Sequence, residues 1–373
     1  MSFSADPTYG VRADYIRYVD NLVRNVPIYD LNFDGKKIDT GAWPKARVQF
    51  SPRVGFTFDV FDDSSLKLRG GTGIFTGRLP LVFFTNMPTN SGMVQGSVAY
   101  VTRYNDELTA ITSQDPKLQQ LAGPMITDVN ELIEKFNLPT SPGDGVLPRD
   151  INGVDPNFKM PQVWKTSLAL DYQLPTSFPL AVTVEGIYTK KLNDVMLKNY
   201  SLRQPDNSWE RFSGPDNRYI YPANAFVDGI SRNAYVLSNN SEGWGAIGNI
   251  TVTAEPVRNM NLMASYTYTE SKEITGMPGS NAGSAYGGLL AINGPHLPTL
   301  QRSQYAVPHS VIASASYTLP YASNSLATSF NVFYSGSHAG TYSYTYTNDM
   351  NGDGWGTDLI YIPKQKGDIQ FVS

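Results

Sequence analysis

Asn261-Leu262-Met263-Ala264-Ser265-Tyr266-Thr267-Tyr268-Thr269 alternates two kinds of surface along one extended segment. Leu262, Ala264, Tyr266 and Tyr268 share one face; Asn261, Met263, Ser265, Thr267 and Thr269, mostly small and polar, share the other. A period of two is a strand's period, and its two faces here suit two different solvents. The pattern recurs in Ser310 to Leu319, where Val311, Ala313, Ala315, Tyr317 and Leu319 oppose Ser310, Ile312, Ser314, Ser316 and Thr318. It recurs again in Leu168, Leu170, Tyr172 and Leu174, in Ile250, Val252 and Ala254, and in Val182, Val184, Gly186 and Tyr188. The chain reads as all-β.

Links between these strands come in two sizes. Leu174 to Leu180 turns through Pro175-Thr176-Ser177-Phe178-Pro179, Ala254 to Leu262 turns at Pro256 to Asn259, and Leu319 to Leu326 turns through Pro320 to Ser325. Between the hairpins lie Thr76 to Met160, Asn193 to Ser241 and Ser271 to Val307, each far longer than the ~4–6 residues usual in a compact soluble domain. Short turns at one rim, long loops at the other and strands of ~10 residues are what an antiparallel transmembrane β-barrel of the outer membrane requires. Hydrocarbon offers no partner to a backbone N–H or C=O, and a closed sheet pairs them all. A soluble β-sandwich uses the same alternation with its apolar face inward. The period alone leaves both open; the loop asymmetry favours the barrel.

Composition narrows the field further. The 373 residues include no Cys, 29 Lys plus Arg against 33 Asp plus Glu, and 41% hydrophobic residues, which excludes both disorder and a disulfide-stapled mini-protein. A formal net charge of -4 provides no broad basic surface for phosphates, so nucleic acid is not an expected partner. Mean hydropathy is -0.28, and no apolar run approaches the ~20 residues of a membrane-spanning helix. Charged residues make up 17% and aromatics 12%, with 23 Tyr. Tyr joins an apolar ring to a polar tip and suits a boundary such as a membrane interface or a carbohydrate site. Met1 to Gly10 carries no basic stretch, apolar run and small-residue cleavage site, so the expectation is a mature or partial chain without an export signal.

The loop over residues 76–160 carries two helix signals, Ser113 to Leu121 and Thr127 to Asn137. In the second, Val129, Leu132, Ile133 and Phe136 form an apolar stripe behind a Thr127/Asp128 cap. A small core inside the loop is the expected use of that stripe, and a partner-binding helix is the alternative.

Phe50-Ser51-Pro52-Arg53-Val54-Gly55-Phe56-Thr57-Phe58-Asp59-Val60, followed by Leu68-Arg69-Gly70-Gly71-Thr72-Gly73-Ile74-Phe75-Thr76-Gly77-Arg78, resembles the barrel of TonB-dependent outer-membrane receptors. Within these the resemblance is to the Oar-like group, whose full-length members carry a carboxypeptidase-regulatory-like domain before the plug. Asp39-Thr40-Gly41-Ala42-Trp43-Pro44-Lys45, Asn86 to Gly92, Asn348-Asp349-Met350-Asn351-Gly352-Asp353-Gly354 and Asp358-Leu359-Ile360-Tyr361-Ile362-Pro363 extend it over most of the chain. The resemblance implies part of a barrel of ~22 strands, residues 1–373 forming a partial barrel domain without plug or signal peptide. From the residues themselves, the first pair of blocks is a strand, a tight turn at Asp62-Asp63-Ser64-Ser65 and a return strand. Gly70, Gly71 and Gly73 remove side chains where a sheet bends or a neighbouring backbone comes close. Arg53, Arg69 and Arg78 are expected on or near the luminal side, facing plug or substrate carboxylates or pairing with adjacent strands. No helix follows these glycines, so a phosphate cradle is a poor reading.

Asp349, Asn351, Asp353 and Gly354 have the D-x-N-x-D-G spacing of a calcium loop, and Asp358 adds a further oxygen. Ile360 stands where an EF-hand places its bidentate Glu, so the expectation is a weak Ca²⁺ site in a loop, with a solvated Asx turn as the alternative. No other cofactor is indicated. His296, His309 and His338 are dispersed and lack zinc-ligand spacing. Trp43, Trp164, Trp209, Trp244 and Trp355 lie near strand ends or loops and read as an aromatic girdle, with ligand stacking as the alternative. No residue is a persuasive catalyst, and the chain reads as a binding element.

The functional expectation is therefore a segment of a TonB-dependent barrel of the bacterial outer membrane. Its loops capture an extracellular ligand, and its partners are outer-membrane lipid, a plug and, through the plug, TonB. The rivals are a surface adhesion or structural barrel without transport, and a soluble extracellular carbohydrate-binding sandwich.

Overall fold

The computed structural model describes residues 4–95, 103–104, 110–111, 127–136, 138, 140–214, 216–227, 233–340 and 342–362. The strands are β1 (Ser4–Ile16), β2 (Arg47–Asp59), β3 (Leu66–Thr76), β4 (Arg103–Tyr104), β5 (Ala110–Ile111), β6 (Ile151–Val154), β7 (Gln162–Gln173), β8 (Leu180–Asn199), β9 (Ala234–Asn240), β10 (Trp244–Ala254), β11 (Met260–Glu273), β12 (Gln301–Arg302), β13 (His309–Tyr321) and β14 (Leu326–Ser337). The main sheet runs β1-β2-β3-β7-β8-β10-β11-β13-β14, every neighbouring pair antiparallel. Helices are short: Val26–Asp30, Val82–Thr89, Val129–Phe136 and Ala282–Gly287. The helix signal at Ser113 to Leu121 lies outside the described residues.

Register shows what the alternation means. Phe58, Leu68, Leu170, Val184, Ile250, Tyr266 and Val311 lie side by side as successive cross-strand partners. One residue along, the corresponding row is Thr57, Arg69, Ala169, Glu185, Asn249, Thr267 and Ser310. Paired residues share a face and neighbours along a strand take opposite faces, so the sheet has one greasy and one polar side. The greasy side is bare: Leu168 is 53% exposed, Tyr266 41% and Val311 39%. A sandwich would bury these residues against a second layer. Among the described residues none covers them, and the architecture is that of a transmembrane barrel sheet.

The strands connect as the composition of their turns dictates. Residues 60–65, 174–179, 255–259 and 322–325 link them at one rim. In the first, Asp59 Oδ2 accepts from Ser64 N at 2.9 Å and Asp63 Oδ1 from Ser65 N at 2.8 Å, while Asp62 and Ser64 take left-handed φ. At the other rim the links are 17–46, 77–161, 200–243 and 274–308. β8, at 20 residues, is about twice the ~9–11 that cross a bilayer. Its far half leaves the main sheet and pairs with β9, which in turn pairs in parallel with β6.

β1 is a correction to the sequence reading, which assigned no strand before the Phe50 block. Tyr9, Val11, Ala13 and Tyr15 alternate with Gly10, Arg12 and Asp14 there, and β1 pairs with β2 along its whole length. A second correction concerns the tryptophans. Trp164 and Trp244 stand on the outward face at the long-loop rim with Tyr188 between them, ring centroids 6.1 and 6.4 Å apart. Trp43, Trp209 and Trp355 instead pack against clusters of buried residues among the long connections, because a girdle position requires an outward strand position that connections do not provide.

Candidate functional site

The long connections do not hang separately from the rim. Phe84 and Met87 of helix Val82–Thr89, Phe158, Tyr235 of β9 and Tyr286 of helix Ala282–Gly287 are buried together, with Trp43 and Trp355 packed against them. Ile28, Phe33, Ile38, Ile151, Ala234 and Val236 form a second cluster, and Leu202, Tyr221 and Ala225 a third, flanked by Trp209. Each large side chain so enclosed contributes about 1.5–3 kcal/mol, enough to hold loops that carry little regular structure. The described parts of these connections form one cap over the long-loop rim.

Asn25 is the polar joint of this cap. Fully buried, it donates through Nδ2 to Ser91 O and Val146 O, both at 2.8 Å, and accepts from Ile28 N through Oδ1 at 2.9 Å, capping helix Val26–Asp30. Its own backbone N–H donates to Thr40 Oγ1 at 2.8 Å. One side chain thereby joins the β1–β2 and β3–β7 connections, satisfying buried backbone groups that no ladder reaches.

Among the described residues, two of the cap's clefts present aromatic or charged side chains. One, about 360 Å³, is lined by Tyr18, Trp43, Leu81, Phe84 and Pro88, with the Tyr18 and Trp43 rings stacked at 5.3 Å. Burial pushes the Tyr18 phenol up to about 12, so it stays a neutral donor. The other, about 470 Å³, presents Arg203, Asp206, Trp209, Glu210 and Asn224. Beside Arg203, His296 is held neutral, its pKa lowered to about 4 chiefly by burial; its Nε2 lies 3.1 Å from Arg203 O. The sequence reading missed Asn25, Tyr18 and the second cleft, since nothing local marks them.

On the polar face of the sheet, Arg69 Nε donates to Asp171 Oδ2 at 2.9 Å, and its Nη1 lies 3.6 Å from Glu185 Oε1. Thr183 Oγ1 donates to Asp171 Oδ1 at 2.7 Å. Arg53 lies over the Phe75 ring, 4.3 Å from its centre. Gly73, paired with Arg53, admits this crowding: a Cβ there would stand 2.9 Å from Arg53 Cγ and from Pro52 O. Arg78 lies past the end of β3 and is exposed. The structure thus puts Arg53 and Arg69 on one face and leaves Arg78 at the rim.

The loop with calcium spacing sits at the cap's edge. Asp349 accepts from Gly352 N at 2.7 Å and Gly354 N at 2.8 Å; Asn351 Oδ1 accepts from Asp353 N at 2.9 Å; Asp353 Oδ1 accepts from Trp355 N at 2.8 Å. Asp358 accepts from Met350 N of the loop at 2.8 Å through Oδ2 and pairs through Oδ1 with buried Arg218 at 3.5 Å. Arg218 also holds Asp216 and Leu359 O. Burial, with Asp358 and Asp349 nearby, raises the Asp353 carboxyl to about 7. Among the described residues, no three Asp, Glu, His or Cys side chains gather tightly enough to hold a metal by themselves.

A family profile described as outer membrane beta barrel domain matches residues 8–346. The chain belongs to this outer membrane beta barrel family. Its place is the bacterial outer membrane, with the bare apolar face of the sheet toward lipid. No curated protein matches the chain. Among solved structures, it is similar to the outer membrane transporter YddB from Escherichia coli, at 9% identity over 73% of this chain and 27% of that one, TM-score 0.37. It is also similar to the copper transporter OprC, at 11% identity over 84% and 30%, TM-score 0.35. A mutant of the ferric enterobactin receptor PfeA from Pseudomonas aeruginosa gives 10% identity over 78% and 28%, TM-score 0.39. The barrel chain spans about 27–30% of the length of these proteins.

Proposed function

We propose that this barrel segment belongs to a TonB-dependent receptor of the Oar-like group, in which the cap captures a ligand outside the cell and the parent protein imports it with energy from the inner membrane. The observation that carries the reading is the union of the described parts of the long connections into a buried-core cap at a single rim, above the row Thr57, Arg69, Glu185, Asn249, Thr267 and Ser310. A pre-organised cap with aromatic and charged clefts suits capture, and a polar face suits a water-filled or plugged lumen. In this reading Arg53, Arg69 and Arg78 meet carboxylates of a plug or of the passing ligand. Among the described residues, β1 and β14 each have a main-sheet neighbour on one side only. Bare edges are untenable in lipid, so further strands complete the cylinder.

The chain has no Cys, so a cysteine introduced here is the sole thiol within residues 1–373. Ser167→Cys faces the polar side, paired with Gly71. In cells, its labelling by a bulky charged maleimide added from outside is expected to rise when TonB and the proton gradient are intact and to fall when either is removed, as a plug moves. Labelling that is the same with and without TonB would favour the rival, a surface adhesion or structural barrel.

A further inference from the structure

We propose that the loop Asp349 to Asp353 binds a Ca²⁺ ion against Asn293 and Gly294, fastening the segment after β14 into the cap. Carboxylate spacing alone does not make the site; a buried carboxylate oxygen without a partner, facing a glycine, does. Asp353 is 0% exposed, and no protein group donates to its Oδ2. That oxygen faces Gly294, where an added Cβ would lie 2.3 Å away. Asn293, next in the chain, is 7% exposed, and its Oδ1 also lacks a partner. A buried carboxylate oxygen left without a donor is costly, and no lysine or arginine among the described residues pairs with Asp349 or Asp353. Among the described residues the buried cation nearby, Arg218, is taken by Asp216, Asp358 and Leu359 O.

The donor set selects the ion. Two carboxylates with neutral amide oxygens, and no His or Cys, suit a hard cation with flexible coordination, which is Ca²⁺ chemistry and not that of zinc or copper. Ionised carboxylate oxygens accept N–H bonds and bind metal together, so the contacts of Asp349 with Gly352 and Gly354 do not compete. So few charged ligands place the affinity in the ~10⁻⁴–10⁻³ M range of extracellular modules. The mechanical consequence follows from what surrounds the loop. Gly352 lies against Tyr221, and Trp355 packs on Gly287, Tyr235 and Tyr286. An ion here joins the last described segment to the connection at 274–308, while Gly352 rests on Tyr221 of the connection at 200–243.

Terbium tests this directly, because Tb³⁺ replaces Ca²⁺ and emits when a nearby indole, here Trp355, is excited. The protein extracted from outer membranes in detergent is titrated with Tb³⁺ and then with Ca²⁺, folding being checked by heat-modifiable migration. Saturable emission that millimolar Ca²⁺ displaces, with affinity about tenfold weaker in Asp353→Asn, is the expected result. Should Asp353→Asn fail to fold, Asp349→Asn carries the comparison. Trp355→Phe is expected to dim the emission at unchanged affinity. No saturable emission from folded protein, or equal affinity in the Asp353 variant, overturns the site. The inference uses the cap's outside location only as the source of the ion, and the readout stands whether or not the barrel transports.

Discussion

The sheet and the cap answer the hydrophobic effect in opposite directions. In the sheet, Leu168 is 53% and Val332 68% exposed, while in the cap Ile28, Phe33 and Ile151 are at 0%. Water tolerates only the second arrangement over an area of this size. Lipid is as apolar as leucine, so an outward apolar face there has no transfer cost and backbone pairing becomes the ruling constraint. The dividing line is drawn by Trp164, Tyr188 and Trp244, whose rings suit the zone between the two solvents. One chain thus changes its folding rule at the end of each strand.

Substitutions that work in one region and fail in the other sharpen that comparison. The largest effect is expected in the cap, where Phe33→Ala removes a fully buried ring at about 3–5 kcal/mol. Limited proteolysis should then cut the cap readily while the heat-modifiable barrel band persists. Loss of both together would mean that the two regions form one cooperative unit. Next comes Val184→Arg in the greasy row, with an expected cost of about 2–4 kcal/mol in denaturant unfolding from lipid vesicles. Thr267→Arg in the polar row should cost far less, and the reverse order would break the assignment of faces.

Asn25→Ala should cost about 1–2 kcal/mol, since the carbonyls of Ser91 and Val146 lose their donor and a helix loses its cap. Hydrogen exchange at the Ile28 amide reads that change as faster opening. Smallest is Arg69→Ala. Its ion pairs are solvent-washed, the guanidinium side chain being 43% exposed, and exposed pairs contribute below ~1 kcal/mol. An unfolding midpoint shifted as far as by Val184→Arg would show that the polar face is not wet.

The sheet was largely legible in the sequence because its information is local. Period two marks the strands, and Pro256 to Asn259 or Pro320 to Ser325 mark the turns. β1 carries the same period in Tyr9, Val11, Ala13 and Tyr15, but Asp6, Pro7, Gly10 and Asp14 are poor strand residues and masked it. The cap was not legible, since its contacts are remote: Asn25 and Val146 are 121 residues apart, and no spacing rule connects them. The calcium-spaced loop announced its own oxygens, yet nothing in the sequence ties Asp358 to Arg218 or Asp353 to Gly294.

Cysteine labelling of neighbouring rows tests the central claim most directly. In outer-membrane vesicles, Val184→Cys and Val311→Cys should resist a charged, water-borne maleimide and react with a lipid-soluble one. Thr267→Cys and Ser310→Cys, one residue away in register, should show the opposite preference when the vesicles are opened and any plug is released with urea. Ready water-borne labelling of Val184→Cys and Val311→Cys, with the polar-row cysteines shielded, would contradict the account.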